Sequence, residues 1–270
     1  MTINQKPFAF VRLLLPVAIM LCAQNGARVW LFLSEHVEGQ WIVLAVSVVF
    51  ASGLGVWAYK SSLNFHSLFS SQMILLVGVL AFLFWLPDDR FIVKKLHIPE
   101  YIAIALACYW ALQPFINSAY AQRYASLIFA MFLGLHDEVM QGFHPERYFG
   151  YLDVIVNAGS AITGIWLIRL LYEGAEQGSF IKDIRVLWSA IFVSLIGVVL
   201  FIYLCWSYKG GLLPVWGALP VVLACGPYFI LRSSKAMSVD VKFVRNLLVF
   251  MIFSLSLYVS GGYILSLNFD

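Results

Sequence analysis

Residues 186–207 have the sequence VLWSAIFVSLIGVVLFIYLCWS, which contains no charged side chain. An α-helix needs about 20 mostly apolar residues to cross the hydrocarbon core of a bilayer. A run of this length and composition therefore predicts a membrane-spanning helix, because a helix satisfies its backbone hydrogen bonds internally and needs no water to do so.

The composition of the whole chain indicates that lipid is its solvent. Of its 270 residues, 62% are hydrophobic and 11% are charged, and the mean hydropathy is +0.87. Soluble domains carry about 25% charged residues. The net charge of +3 is small and spread along the chain, so we expect no nucleic-acid partner. The composition predicts an all-α, polytopic transmembrane helix bundle without a separate aqueous domain.

Apolar runs recur along the chain, and we expect eight or nine of them to span the membrane. The candidate spans are residues 11–33, 41–58, 71–87, 97–115, 118–135, 152–172, 186–207, 212–231 and 244–266. The first is the least secure, because Gln24, Asn25 and Arg28 interrupt it, and it could form a short or broken helix. Lys6 and Arg12 precede it as in a signal peptide, but no good cleavage site follows, so we expect an uncleaved helix.

The distribution of lysine and arginine favours a cytoplasmic N-terminus. With that orientation the inner connections hold 11 of the 17 basic residues and the outer ones hold 6. The loop after residue 87 is an exception, since it places Arg90, Lys94 and Lys95 outside. We expect a multi-pass membrane protein in this orientation.

Helix order places three polar segments on one face of the membrane, whichever way the chain is oriented. The helix 97–115 leaves a face, the helix 118–135 returns to it, and the helix 152–172 leaves it again. His97 and Glu100 should therefore lie beside the polar segment from His136 to Asn157. In the preferred orientation this polar cluster lies on the outer face.

The residues of this cluster have side chains that could bind a ligand or lock helices together. Glu100 and Tyr101 follow His97 at a helix start, where an acidic side chain suits the helix dipole. Asp153 lies just inside a span, with Asn157 one turn further on the same face. An acid at that depth usually faces the protein interior or a water-filled cavity.

Two adjacent carboxylates, Asp137 and Glu138, follow directly after the span 118–135. If the helix continues by one turn, Gln141 shares a face with Glu138, and the segment from Phe143 to Pro145 then ends the helix. Arg147 could pair with a carboxylate or hold an anionic group with its planar fork of donors. A solvated charged loop is the plainer interpretation of the same residues.

The cluster contains several side chains that ligate zinc or similar ions, but their spacing matches no metal motif, and we predict no metal and no cofactor. Those side chains are His97, Glu100, His136, Glu138, His144 and Asp153. There is also no serine-nucleophile elbow and no glycine-rich phosphate loop.

These same residues resemble the VanZ family over about residues 71–172. The matching positions are His97, Glu100, Tyr101, Asp137, Glu138, Gln141, Phe143, Pro145, Arg147, Asp153, Asn157, Ala161 and Gly164. The chain departs from the family pattern at Met140, where a histidine is common, and at Glu146 and Ser160, where glycine is favoured. The resemblance implies a chain divided into N-terminal helices (1–70), a VanZ-like core (71–172) and C-terminal helices (173–270).

The resemblance places the protein in the bacterial cell envelope, since the named family member is linked to low-level resistance to the glycopeptide teicoplanin. It does not supply a reaction. Our first hypothesis is a binding protein for an anionic lipid, a glycolipid or a lipophilic glycopeptide, with Arg147 holding the anionic group. Phe143, Tyr148, Phe149 and Tyr151 would form an aromatic collar around it.

Two alternatives stay open. One is an accessory subunit of a membrane complex, or a transporter, in which the additional C-terminal helices contact other membrane subunits. The other is a membrane enzyme acting on a lipid-linked substrate, with Glu138 or Asp153 as general base and Arg147 stabilising negative charge.

Overall fold

The computed structural model describes residues 6–60, 71–85, 94–144, 147–171, 180–231 and 239–264, and these residues are almost entirely helical, with no β-strand. The helices are α1 (Lys6–Ser34), α2 (Gly39–Lys60), α3 (Ser71–Trp85), α4 (His97–Leu112), α5 (Ala119–Gly142), α6 (Tyr151–Leu171), α7 (Phe180–Ser207), α8 (Leu219–Leu231), α9 (Val239–Ser254) and α10 (Ser256–Gly262). A short 3₁₀ turn, Val215–Ala218, precedes α8. The all-α prediction is confirmed for this part of the chain.

Three helical segments in the described ranges are long and apolar enough to cross a membrane: Tyr151–Leu170, Ala190–Ser207 and Val239–Gly262. Shorter apolar helices occupy other predicted spans, among them Ile74–Trp85 and Val215–Tyr228. The chain is therefore a membrane-embedded helical protein, as its composition predicts.

Several helix bounds differ from those expected. The first helix is not broken: α1 runs without interruption from Lys6 to Ser34. Helix α8 begins later than expected, since Pro214 has an extended backbone. The last predicted span is divided at Leu255 into α9 and α10.

The chain forms two compact units, each of which combines segments distant in sequence. The first unit comprises residues 1–114 and 152–175, and the second comprises residues 115–151 and 176–270. Residues 71–172 thus contribute to both units. The division into a VanZ-like core with flanking helices stays a prediction.

In the first unit, α1 and α4 pack side by side in opposite directions. The Arg12 guanidinium lies over the Trp110 ring, 4.3 Å from its centroid, so the start of α1 meets the end of α4. Helix α6 approaches α4 closely at Gly164, where a Cβ would lie 3.1 Å from the carbonyl oxygen of Ile102. A small residue at this contact lets the two helix backbones come together.

In the second unit, α5 and α9 run in the same direction. Near their starts, Asp240 of α9 accepts the backbone N–H of Ser118, just before α5, at 3.0 Å. Near the end of α5, His136 contacts the Met251 carbonyl of α9 at 3.1 Å. Two contacts in the same order along both helices require a parallel pair.

Helix α7 packs against α8 in the opposite direction. The Ser194 hydroxyl of α7 donates to the Ala224 carbonyl of α8 at 2.6 Å. One turn further along α7, a Cβ at Gly197 would lie 2.6 Å from the Pro220 carbonyl oxygen. The bare α-carbon of Gly197 is thus what allows this close approach.

Candidate functional site

The end of α5 carries a buried pair of carboxylates. The helix continues to Gly142, about two turns beyond the apolar run, so Asp137, Glu138 and Gln141 are all helical. The Gln141 amide donates to Asp137 Oδ2 at 3.1 Å and to Glu138 Oε1 at 3.3 Å. The predicted shared face of Glu138 and Gln141 is confirmed, and the solvated-loop interpretation fails for all three, which are buried.

Glu138 also ties the segment after α5 back to the helix. Its second oxygen, Oε2, accepts the backbone N–H of Gly150 at 3.2 Å. Between these two residues, the Arg147 N–H donates to the His144 carbonyl at 3.2 Å and closes a turn. The partly exposed Arg147 therefore sits on a segment anchored at both ends, while Pro145 lies outside the described residues.

The aromatic residues of this segment divide into exposed and buried ones. Tyr148 and Tyr151 are 55% and 57% exposed. The Phe143 ring stacks on Tyr258 of α10, with centroids 5.9 Å apart. Phe149 is only 2% exposed, so its predicted place in an exposed collar is wrong.

His136 forms a polar contact with α9 and α10 that the sequence did not reveal. One ring nitrogen, Nε2, lies 3.1 Å from the Met251 carbonyl oxygen and 2.9 Å from Ser254 Oγ, and the other, Nδ1, lies 2.9 Å from the Tyr258 hydroxyl. His136 is only 7% exposed, and burial of an unpaired charge is costly, which favours the neutral ring. A carbonyl only accepts, which assigns the hydrogen to Nε2 and makes Nδ1 the acceptor from Tyr258.

This contact occurs where the last span is divided. At the break, the Leu255 N–H bonds to the Ile252 carbonyl, one residue short of the usual α-helical partner. The Met251 carbonyl is satisfied instead by His136 and by the Ser254 hydroxyl, which donates to it at 2.7 Å. The sequence signal was the polar run of Ser254, Ser256 and Tyr258 within an apolar helix. Both nitrogens of His136 are engaged, which disfavours it as a metal ligand.

In the first unit, His97 and Glu100 lie together at the start of α4, as the sequence predicts. Nδ1 of His97 lies 3.4 Å from Glu100 Oε2, so the two side chains share a face of α4. The His97 and Tyr101 rings lie with centroids 6.1 Å apart, and Tyr101 is fully buried. These contacts order the start of α4 from within its own first turns.

Asp153 is buried, and Lys94 of the same unit is its partner. The two groups are 3.0 Å apart, and the Asp153 side chain is 5% exposed while that of Lys94 is 26% exposed. Asn157, one turn further along α6, is also buried. Lys94 was not among the predicted site residues, although it belongs to the basic loop that violated the expected charge bias. Its ion pair with Asp153 explains why a lysine occurs at this position.

The predicted residues thus form two sets, one in each unit. The first unit holds His97, Glu100, Tyr101, Asp153 and Asn157; the second holds Asp137, Glu138, Gln141, Phe143 and Arg147. The meeting of the two sets at a single site stays a prediction from helix order.

Comparison of the chain with protein-family models, with curated proteins and with solved structures found no match.

Proposed function

We propose that the chain is a VanZ-like, multi-pass protein of the bacterial inner membrane that binds an anionic lipid, a glycolipid or a lipophilic glycopeptide on its outer face. The observation that carries the proposal is the anchored segment from Arg147 to Tyr151. It carries one partly exposed arginine, Arg147, and two exposed aromatic residues, Tyr148 and Tyr151. Arginine with interfacial aromatics suits an anionic group at the membrane surface.

The parallel arrangement of α5 and α9 supports the larger number of spans. Two helices that cross a membrane in the same direction need an odd number of crossings between them. With α6 and α7 as two of these crossings, we propose α8 as the third. Helix α8 is 13 residues long and the 3₁₀ turn before it has four, which together reach about 28 Å, close to the hydrocarbon thickness.

Basic residues are unequally divided between the two ends of the second unit. The starts of α5, α7 and α9 and the segment joining α8 to α9 contain Arg123, Lys182, Arg185, Arg232, Lys235, Lys242 and Arg245. The opposite connections of this unit contain Arg147 and Lys209. The positive-inside rule therefore favours a cytoplasmic first end and an outer location for Arg147. The resemblance to VanZ proteins is consistent with such an outer site.

A binding measurement on the full chain in mild detergent tests the proposal. Short-chain phosphatidylglycerol offers an anionic head group with little acyl chain, and short-chain phosphatidylcholine is the zwitterionic control. Arg147→Gln should weaken binding of the anionic lipid about tenfold or more, as expected when a charge-assisted hydrogen bond is lost, while Arg147→Lys should lose less. Teicoplanin serves as a second probe. Equal binding of both probes by wild type and Arg147→Gln would refute the role of Arg147.

A membrane enzyme is the second candidate. The burial of Glu138 favours this residue as the general base. This side chain is fully buried and lies one helical turn before the end of α5, where a base could be shielded from water. Glu138→Gln keeps the shape of the side chain and removes its basicity. A biological phenotype retained in Glu138→Gln would exclude Glu138 as the base, whereas its complete loss with normal folding would favour catalysis.

An accessory-subunit role is the remaining alternative. Copurification of further membrane proteins in mild detergent would support it, and isolation of a lone monomer would count against it.

A further inference from the structure

An apolar groove of about 320 Å³ lies within the second unit, far along the sequence from Arg147. It runs between the last two turns of α7, the 3₁₀ turn and the start of α8. Leu204 and Leu223 line it from the two helices, and Tyr208 and Trp216 line it from the connection between them. These walls are contributed by consecutive elements, so the groove is a feature of this helical hairpin.

The lining offers almost no hydrogen-bonding group to an occupant. Ser207 is the one small polar residue of the lining. Its hydroxyl donates to the Tyr203 carbonyl of its own helix at 2.8 Å. A polar ligand would therefore lose its hydrogen bonds to water without replacement. The groove suits a hydrocarbon chain.

The position of the groove also points to lipid. It lies at the end of the span Ala190–Ser207, where interfacial tyrosine and tryptophan residues are expected. Trp216 is 57% exposed, and its ring meets Tyr208 edge-on with centroids 6.3 Å apart. This aromatic rim marks the depth at which lipid head groups meet acyl chains.

One charge accompanies the groove. Within residues 200–223 Lys209 is the single charged side chain, and it is exposed in the turn directly after Tyr208. Gly210, with φ of 72°, continues that turn. A lone lysine beside an apolar groove is complementary to a lipid that carries a negative head group on its hydrocarbon chain.

We propose that this groove binds one acyl chain of an anionic phospholipid, whose head group is held near Lys209. The site is separate from Arg147, and it neither requires nor excludes the binding function proposed for that residue.

Fluorescence quenching by brominated lipids tests the groove on the full chain. The protein is reconstituted in phosphatidylcholine vesicles that contain a minor fraction of phosphatidylglycerol brominated on its acyl chains. Parallel vesicles contain brominated phosphatidylcholine at equal bromine content. The fluorescence contributed by Trp216 is the difference in emission between the wild type and Trp216→Phe. Trp206 is the matched control, because it is similarly exposed, at 50%, but does not line the groove.

Brominated phosphatidylglycerol should quench the Trp216 contribution about fivefold more effectively than brominated phosphatidylcholine, the preference expected from one lysine near anionic lipid. Lys209→Gln should abolish that preference, and Arg147→Gln should leave it unchanged. Circular dichroism checks that each variant remains folded. Equal quenching of Trp216 by the two lipids would overturn the proposal. So would a preference that persists in Lys209→Gln, or one that Trp206 shows to the same degree.

Discussion

Tyr258→Phe removes one hydroxyl from the break between α9 and α10 and leaves the ring in place. The ring should keep its stacking on Phe143, so the change isolates the hydrogen bond to His136 Nδ1. The other nitrogen of His136 is already committed to Met251 and Ser254. The variant therefore leaves a buried acceptor without its hydroxyl donor.

The expected cost follows from that geometry. A net hydrogen bond contributes about 1 kcal/mol, but leaving its buried partner unsatisfied costs about 1–3 kcal/mol. His136 is only 7% exposed, so water is poorly placed to replace the hydroxyl. We expect Tyr258→Phe to lower the free energy of unfolding by about 2 kcal/mol.

The measurement is the free energy of unfolding of the full chain in mixed micelles, titrated with a denaturing detergent. Tyr263→Phe is the matched control, because Tyr263 is 57% exposed and its hydroxyl can bond to water; we expect a change within about 0.5 kcal/mol. A loss in Tyr258→Phe no larger than that of the control would refute the assignment of a structural hydrogen bond to His136.

Two further predictions concern packing and topology. Gly197→Ala should destabilise by about 1–3 kcal/mol, because its Cβ would meet backbone atoms of α8, and unfolding in detergent measures this. In intact cells, a membrane-impermeant maleimide should label Tyr148→Cys but not Lys242→Cys.

Each of these has its own contradicting result. Gly226 has open space around its α-carbon, so Gly226→Ala should be tolerated, and an equal loss there would show that Gly197 is not specially packed. Labelling of Lys242→Cys alone would reverse the proposed orientation, and a Cys22→Ser background removes the one native cysteine that is exposed.

The local parts of the site were predictable because they depend on residues within one or two turns. Glu138 and Gln141 are three residues apart, so helix geometry alone brings the amide to the carboxylate. The same reasoning joins His97 to Glu100. The prediction for Phe149 failed because it also used local sequence alone. An aromatic residue in a connecting segment has equal local reasons to face lipid or the interior.

The distant contacts could not be predicted from a single sequence. His136 and Tyr258 are 122 residues apart, and no local pattern specifies that pairing. Lys94 looked like an exception to the charge bias until its contact with Asp153 gave it a partner. In both cases one polar residue of the pair stood out in the sequence, but its partner could not be identified.

The amino-acid sequence by itself determined that this chain is helical and lives in lipid, because apolar runs without charges can satisfy their backbone only as helices in a bilayer. It also determined which polar residues are costly enough to need partners. Only the tertiary structure shows which residues those partners are. It also shows that α5 and α9 run parallel and that the last span breaks at Leu255. These features depend on which helix faces come together, and in lipid that choice is made by close packing and specific hydrogen bonds between helices, not by hydrophobicity.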